Sequence, residues 1–531
     1  MDFRQKILDF YSLSEEDYKN LTKEVSVNDL PDFNAPPDMK KIKERIFKAI
    51  VNKEKIIVYG DYDCDGICST SIMVKTFEKL GYPVSYYIPI RYIDGYGLNV
   101  NNVIKIKNAG FSLIITVDNG ICQNEAIDKA NELGMDVIVI DHHEEPETPV
   151  NALGIIHPSV SHISDVFGCG GFMSLITSAA LLGSYEPYLV TLAGLSTISD
   201  MMEIKEYNRT VVRLALENLK NYRYAPLMSL LDSDIITEKS FGLEIAPKIN
   251  AVGRLVEDKN INLLVRFLLS ENSEEIFKLS SWIKNTNELR KTLTKEAVEA
   301  LPKDKIDKDG IILKLDIKEG LIGLIANRLL NEYNVPTIIF TKESNGENFL
   351  KGSIRSKEGF NVQKAFESLS KYMVAGGGHA LAGGLTIKEE DFDAFKADFL
   401  SLCREYKITK VEPPSIEISL LDVNFQNYKI LREFAPFGMG FPEPIFSIRD
   451  LPTKSLKFIS GGKHISTPIS INSKILGFNM DELEIKSHLS IDIFGNLLTS
   501  IYRDKMSIEF RISDYITRKW NWFIMRRHIY N

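Results

Sequence analysis

Between Lys55 and Asp141 one pattern repeats, a short apolar run followed by an amphipathic stretch that stops at a glycine. KIIVYG reads as a strand, and the segment after it ends at Gly81. Then come VSYYIP, a helix-like VNNVIKIKNA ending at Gly110, SLIITVD, a helix-like CQNEAIDKANEL ending at Gly134, and MDVIVID. Apolar runs of this kind are buried on both faces, and glycine-terminated helices between them supply the right-handed crossovers of a parallel sheet. The spacing therefore predicts an α/β domain whose ligand crevice lies beyond the carboxyl ends of its strands. Ahead of it, Ile42, Ile46, Ala49 and Ile50 recur at helical spacing, which predicts a helix packed on the sheet.

After Asp200 the pattern turns mostly helical, and the polar stretch from about Ser270 to Leu301 predicts one long helix closed by Pro302. A second α/β segment follows, with GIILKLD, LIGLIANRLLNEY and PTIIFT, reaching about Cys403. KVEPPS marks a linker around Val411 to Pro414, and the short strands between Gly and Asn turns beyond it suggest a small β-barrel. The expected divisions are a helical N-terminal segment over 1–53, an α/β catalytic domain over 54–268 and a connecting helix over 269–302. A smaller α/β domain over 303–405, a β-barrel over 415–518 and a tail over 519–531 complete the chain.

Composition agrees with several domains, because 531 residues exceed what one hydrophobic core usually holds. Hydrophobic content of 44% with 26% charged residues is that of a soluble chain, and no run approaches the roughly 20 apolar residues of a membrane span. MDFRQKILDF has no basic segment leading into an apolar run, so cytoplasm is the expected location and no membrane partner is expected. The five cysteines are scattered and form no CxxC, which argues against a disulfide framework or structural zinc and predicts buried, reduced thiols. Net charge is −8, yet Leu451–Asn531 holds 12 Lys and Arg against 7 Asp and Glu, leaving 52 against 65 elsewhere. A basic C-terminal module beside an acidic body fits nucleic-acid binding attached to metal chemistry; chance variation on a solvated surface is the plainer alternative.

The first strand runs into Asp61-Tyr62-Asp63-Cys64-Asp65-Gly66, three carboxylates at a strand's carboxyl end. Like charges that close raise one another's pKa, so the segment calls for a bound cation or for protons. An EF-hand calcium loop also begins DxDxDG, but its twelfth position here is Ile72 where a bidentate Glu is needed, and a strand precedes it. Two more strands end in Asp118-Asn119-Gly120 and Asp141-His142-His143. Alone, such an Asp is a helix N-cap and such a histidine a core or surface residue. Three strand ends of one sheet converging on one crevice invert that balance. Carboxylates with imidazole and no thiolate suit Mn²⁺ or Mg²⁺, and bridging Asp residues suit a metal pair about 3.5–4 Å apart, the arrangement of two-metal phosphoester hydrolysis. Asp200 closes LVTLAGLSTISD, which reads as a helix delivering its last residue to the same place.

GDYDCDG, TVDNG, IDHH and the Asp of STISDMM resemble the four motifs of the DHH phosphoesterases, in that order. The resemblance implies that Asp63, Asp65, Asp118, His142 and Asp200 hold two Mn²⁺ or Mg²⁺ ions. Asp61 would be a neighbouring ligand and His143 a catalytic neighbour, both in supporting or substrate-contacting positions. Outside these motifs, PIRYIDGYGL with Arg91 and KINAVGRL with Asn250 and Arg254 resemble the backbone-binding segments of RecJ-type exonucleases. Arg suits that task, since its planar fork pairs with two phosphate oxygens; without the flanking match a surface ion pair is the simpler reading.

KGSIRS, with Ser353 and Arg355, and AGGGHALAGG, with His379 in a glycine-rich loop, look like the DHHA1 domain that accompanies DHH domains. The resemblance implies that Arg91, Ser353 and Arg355 form a pocket for a 5′-terminal phosphate and that His379 hydrogen-bonds a phosphate near the scissile bond. The glycine-rich segment lacks the GK[ST] of an ATP-binding P-loop. PFGMGFPEPIF and the β-rich segment containing GGKHIS resemble the OB-type domain of RecJ proteins, although Phe441 stands where the family more often has Asn. The last segment, RKWNWFIMRRHIYN, matches none of the family's motifs.

The resemblance covers roughly residues 35–515. It implies an α/β fold built from a parallel-sheet DHH catalytic domain, a connecting helix, a DHHA1 domain and an OB-like β-barrel. The implied activity is 5′→3′ exonuclease action on single-stranded DNA, releasing 5′-mononucleotides in DNA repair and recombination. The implied setting is a monomer working with single-strand-binding protein and a helicase. Two other classes compete: a DHH phosphodiesterase acting on short RNA or dinucleotides, and a non-catalytic scaffold that has lost its metals, against which every expected ligand is present.

Overall fold

A computed structural model describes residues 2–161, 168–301, 306–343, 348–405, 412–502 and 505–518. Two compact units emerge, one formed by residues 25–410 and one that joins residues 1–24 to the C-terminal region from 411.

In the larger unit the first sheet contains β1 (Lys55–Tyr59), β2 (Ser85–Tyr87), β3 (Phe111–Val117), β4 (Asp136–Ile140) and β5 (Gly154–Ile156). All pair in parallel, in the order β2-β1-β3-β4-β5. The chain leaves β1 outward to β2 and returns on the other side to β3, so the switch point falls between β1 and β3, where an α/β sheet opens its crevice. Gly81, Gly110 and Gly134 end the intervening helices with φ of 71°, 83° and 68°, a left-handed conformation that costs glycine nothing.

One face of this sheet is covered by the helices Val100–Asn108 and Asn124–Glu132, whose Val103, Ile106, Ala126, Ile127 and Ala130 are buried in one cluster with the strands. Cys64–Lys79, Gly170–Leu182 and Pro187–Ser199 are buried almost all round, as expected of helices interior to a domain. The helix Met39–Val51 buries Met39, Ile42, Ile46 and Ala49, while Ile50 is half-buried. It sits against β5 at Gly154, where an added Cβ would lie 2.6 Å from Ile42 Cγ1.

The long helix spans Ser273–Glu299 and starts at Asn272, whose Oδ1 accepts from the Glu275 N–H at 3.0 Å. Pro302, expected to close it, lies outside the described residues. The second sheet follows, from β6 (Ile311–Lys314), β7 (Thr337–Lys342), β8 (Phe349–Arg355), β9 (Met373–Gly378) and β10 (Ala382–Lys388), in the order β6-β7-β8-β10-β9. One expectation is corrected here. AGGGHALAGG is not a loop but most of the antiparallel β9–β10 hairpin, and residues 374–378 are exposed along its edge strand. Absent side chains let β9 and β10 approach closely: a Cβ on Gly378 would lie 2.4 Å from Ala382 O.

The smaller unit holds a seven-stranded sheet between Ser415 and Arg518. The N-terminal segment expected as one piece over 1–53 is divided between the two units. Phe3, Ile7 and Leu8 of the helix Phe3–Tyr11 enter the same core as Ile416, Leu431 and Phe446, with the Phe3 and Phe446 rings stacked 5.6 Å apart. Four cysteines are buried; Cys122 is exposed, contrary to expectation, because it lies in the loop after β3. Among the described residues no helix is long and apolar enough to cross a membrane. The tail over 519–531 lies outside the described residues.

Candidate metal centre

The chain turns from β1 into the helix Cys64–Lys79 through Gly60 to Asp63. Asp63 caps that helix, its Oδ1 accepting from the Gly66 N–H at 3.0 Å. Gly66 is required by contact: a Cβ there would lie 2.5 Å from Asp61 O. Asp65, in the first helical turn, is 1% exposed and fully engaged. Its Oδ2 accepts from the Gly170 N–H at 2.9 Å and its Oδ1 from the Gly171 N–H at 2.7 Å, with Ser69 and Ser196 hydroxyls also donating to Oδ1. Gly170 and Gly171 open a helix, and the free N–H groups of a helix start attract an anion.

Asp118 follows β3 with φ of 60°, a left-handed conformation that Asp tolerates better than most residues. Next to it, the Asn119 amide donates to Tyr59 O at 3.2 Å, Gly60 O at 3.1 Å and Val117 O at 2.9 Å, tying the ends of β1 and β3 together. β4 ends at Asp141. His142 Nε2 lies 3.2 Å from Asp118 Oδ1, 3.4 Å from Asp200 Oδ2 and 3.5 Å from Asp65 Oδ2. Asp200 arrives as the C-terminal residue of the helix Pro187–Ser199.

Three overlapping groups have ligand atoms within 4.8 Å of one another: Asp61, Asp63 and Asp118; Asp65, His142 and Asp200; Asp118, His142 and His143. Burial, and then the charge of a neighbouring carboxylate, pushes Asp61, Asp63 and Asp118 above the usual carboxylate range and Asp200 up to about 9. Asp61 Oδ1, Asp118 Oδ1 and His142 Nε2 are buried without a hydrogen-bond partner. Burial holds the His142 imidazole below its ordinary value, and a neutral ring is the form that binds a metal.

His143 differs. Burial opposes its protonation, but the hydrogen bond and charge of Asp141, 2.7 Å from Nδ1, raise it to about 9. Asp141 is itself held below its ordinary value, against burial, by His143 and by the Ile121 N–H at 2.9 Å. The Tyr96 hydroxyl lies 3.0 Å from His143 Nε2. Sequence reasoning did not single out Gly170, Gly171, Ser196, Tyr96 or Asp141 for roles. The GCGG run before an apolar helix was a usable signal for the first two; Ser196 and Tyr96 carried none.

The expected phosphate-binding residues gather beside the acids. The Arg91 guanidinium lies over the Tyr62 ring, 4.1 Å from its centroid. Arg254 Nη1 donates to Gly320 O at 3.0 Å, and Arg355 Nη1 donates to Ser353 Oγ at 2.9 Å. Gly323 lies against this pair, for its Cβ would be 2.8 Å from Arg355 Nη2. Asn250 has a different engagement: its Oδ1 accepts from the Cys64 N–H at 2.7 Å and so braces the acidic loop. His379 is exposed at the turn between β9 and β10, and among the described residues no contact ties its ring to the acidic cluster.

The family model for the DHH family, N-terminal domain, matches residues 55–199, that for the DHHA1 domain residues 307–405, and that for the RecJ OB domain residues 415–514. The chain is 33% identical over 526 residues to a single-stranded-DNA-specific exonuclease RecJ of Bacillus subtilis, covering 93% of this chain and 66% of the relative's length. It is 29% identical to the protein of that name from Dickeya dadantii, with 80% of each chain covered. Among solved structures, RecJ from Thermus thermophilus in complex with Mn²⁺ matches with a TM-score of 0.79 at 24% identity, covering 98% of this chain and 76% of that one. A manganese-bound exonuclease RecJ matches at 26% identity with a TM-score of 0.59, covering 74% of this chain and 97% of that one.

Proposed function

Because the chain belongs to the DHH family and carries the DHH, DHHA1 and OB domains of its RecJ-type members, we propose that it is a metal-dependent exonuclease on single-stranded DNA. It removes 5′-mononucleotides from the 5′ end. The observation that carries this reading is the convergence of Asp61, Asp63, Asp65, Asp118, His142 and Asp200 from three strand ends and one helix end into overlapping groups within ligand distance.

The donor set fits two hard divalent ions. Carboxylates that burial and mutual repulsion push upward are groups that a cation would relieve, and the unpartnered Asp118 Oδ1 and His142 Nε2 are ready lone pairs. Asp61, Asp63 and Asp118 would hold one Mn²⁺ or Mg²⁺, and Asp65, His142 and Asp200 the other. Such a pair supplies Lewis-acid activation of the attacking water and offsets the charge that grows on phosphorus.

The remaining work falls to the protein's own groups. The Gly170 and Gly171 N–H groups and Ser196 fix the Asp65 carboxylate before substrate arrives. Asp141 keeps His143 protonated and oriented, so that the imidazolium donates to a non-bridging oxygen of the scissile phosphate. Arg91, Ser353 and Arg355 take the 5′-terminal phosphate, Arg254 adds charge beside them, and Asn250 holds the acidic loop. His379 contacts the DNA backbone from the exposed hairpin. The basic C-terminal domain grips the single strand. The enzyme works in the cytoplasm as a monomer, in DNA repair and recombination, alongside single-strand-binding protein and a helicase.

Cleavage of 3′-labelled single-stranded DNA with Mn²⁺ tests this reading, with 5′-phosphate and 5′-hydroxyl strands, a duplex and a dinucleotide compared. Progressive shortening of the 5′-phosphorylated single strand is expected. Hydrolysis of the dinucleotide alone would leave the chemistry standing and replace the substrate with short oligonucleotides.

A further inference from the structure

The phosphate-binding group described above contains more positive charge than its named members provide. Arg254 is held down to about 10 by its burial and by the charges of Arg91, Arg290 and Arg355 around it, against the pull of Asp63. Arg290 is the newcomer, coming from the middle of the long helix Ser273–Glu299, which packs against the helix Ala246–Leu255 that carries Arg254. Among the described residues none of these four arginines is in a close ion pair, although Asp61 and Asp63 act on Arg91, Asp63 on Arg254 and Glu288 on Arg290 at longer range. Glu288, two residues away on the same helix, is held by Lys291 at 2.7 Å and still draws on Arg290.

Two further atoms lack partners. Arg290 Nε is a buried donor and Asn287 Oδ1 a buried acceptor, and neither makes a hydrogen bond; Asn287 is 2% exposed. The two residues are three apart on one helix, the spacing at which side chains meet on a shared face. Unpaired buried groups are costly, and so is the crowding of guanidiniums, which the more distant Asp63 and Glu288 offset only in part. An anion seated among the arginines removes the second cost, and an Arg290 turned toward it can donate its Nε–H to Asn287 Oδ1, which removes the first.

We propose that Arg290, oriented by Asn287, is a substrate-positioning residue that completes the 5′-phosphate pocket and makes the enzyme read a terminal phosphate in preference to a hydroxyl. The inference rests on the assignment of that pocket to the 5′ terminus. It gives the connecting helix a direct part in substrate recognition, beyond joining the two sheets. A charge-assisted hydrogen bond of this kind changes binding by about tenfold or more.

The test compares KM for 5′-phosphorylated and 5′-hydroxyl single strands, otherwise identical, in the full-length protein with Mn²⁺. Arg290→Ala should reduce the preference for phosphate at least about tenfold while kcat on the phosphorylated strand changes much less. Arg290→Lys should restore part of the preference, and Asn287→Ala should lower it by a smaller factor. Lys295→Ala, which removes a positive charge from the exposed face of the same helix, where it faces Glu299, should leave the preference as it is. A preference unchanged in Arg290→Ala overturns the proposal, as does an equal loss in Lys295→Ala, which would make the effect one of overall charge. If the unaltered protein shows no preference, the pocket assignment fails and the proposal with it; if that preference exists and survives Arg290→Ala, only the proposal fails.

Discussion

Gly171 and Asp65 meet across more than a hundred residues of chain, the glycine N–H donating to Asp65 Oδ1 at 2.7 Å while Ser196 donates to the same oxygen from another helix. A Cβ on Gly171 would lie 2.2 Å from Ser196 Oγ and 3.2 Å from Asp65 Oδ1. Both neighbours are buried on helices and have nowhere to go. Gly171→Ala should therefore cost about 1–3 kcal/mol of stability through overpacking and weaken Mn²⁺ binding by displacing Asp65. Thermal denaturation with and without Mn²⁺ checks both, and an unchanged Mn²⁺ response would show that Asp65 needs no such fixing.

Asp200 should show a reversal of sign. Without metal its carboxyl sits among Asp65 and Asp63 and is pushed up to about 9, so Asp200→Asn should raise the Tm of the metal-free protein. With Mn²⁺ at about a hundred times its Kd, the natural protein gains about 2.7 kcal/mol from binding, most of which the variant forfeits. Cleavage should be abolished by Asp200→Asn and by Asp63→Ala alike, with single-strand binding retained. Turnover persisting in both would remove the two-metal assignment.

Asp200 and His143 place the pH dependence of the metal-free protein, and the raised Asp61, Asp63 and Asp118 act in the same direction. Asp200, raised to about 9 from an ordinary 3.8, and His143, raised to about 9 from 6.5, both hold protons in the folded state that the unfolded chain releases. Each contributes stability that is complete below its unfolded value and is lost as pH rises through the folded one. Over the window from 6.5 to about 9 both are being lost, while His142, held below 6.5, is already neutral. The Tm without metal should fall across that window, and the gain on adding Mn²⁺ should grow as protons cease to compete for the carboxylates. A flat profile would mean that the acids are relieved in some other way.

The parallel sheet, its strand order of chemistry and the acidic cluster were legible because they are local. Each ligand follows an apolar run directly, so the period of the pattern places the strand and the topology of α/β sheets places the crevice. What supports the ligands was not legible. Ser196 reaches the site from a helix whose sequence is occupied with burial, where a serine looks the same whether or not an Asp65 lies opposite, and Tyr96 reaches it from the exposed loop after β2. The glycine-rich hairpin was misread as a loop because glycines signal turns, whereas here their missing side chains bring two antiparallel strands together. The pairing of Phe3 with Phe446 depends on contacts between opposite ends of the chain, which no window of sequence contains.

Asn250 separates bracing from substrate contact. Its Oδ1 accepts from the Cys64 N–H at 2.7 Å, at the start of the helix that carries Asp65. Asn250→Ala leaves that N–H without its partner, which costs about 1–3 kcal/mol, and should lower kcat through a loosened acidic loop. A change confined to KM, with Tm and kcat intact, would instead make Asn250 a residue whose main task is to hold DNA.

Phe441 stacks on Tyr11 with ring centroids 4.4 Å apart and on Phe437 at 5.9 Å. The Tyr11 hydroxyl also donates to Pro442 O, and the Tyr18 hydroxyl donates to Glu433 at 2.6 Å, so the N-terminal helices are fastened to this segment at several points. An aromatic pair of this geometry contributes about 0.5–1.5 kcal/mol beyond the area it buries. Phe441→Asn should accordingly destabilise the smaller unit, and Tyr11→Ala should do so by a similar amount. The double variant should lose less than the sum of the two, because the second substitution removes a contact already gone. Denaturation followed by a probe in the C-terminal region reads all three. Additive losses would mean that the two rings do not depend on each other, and that Phe441 stabilises the smaller unit through Phe437 and its other neighbours and not through the N-terminal helix.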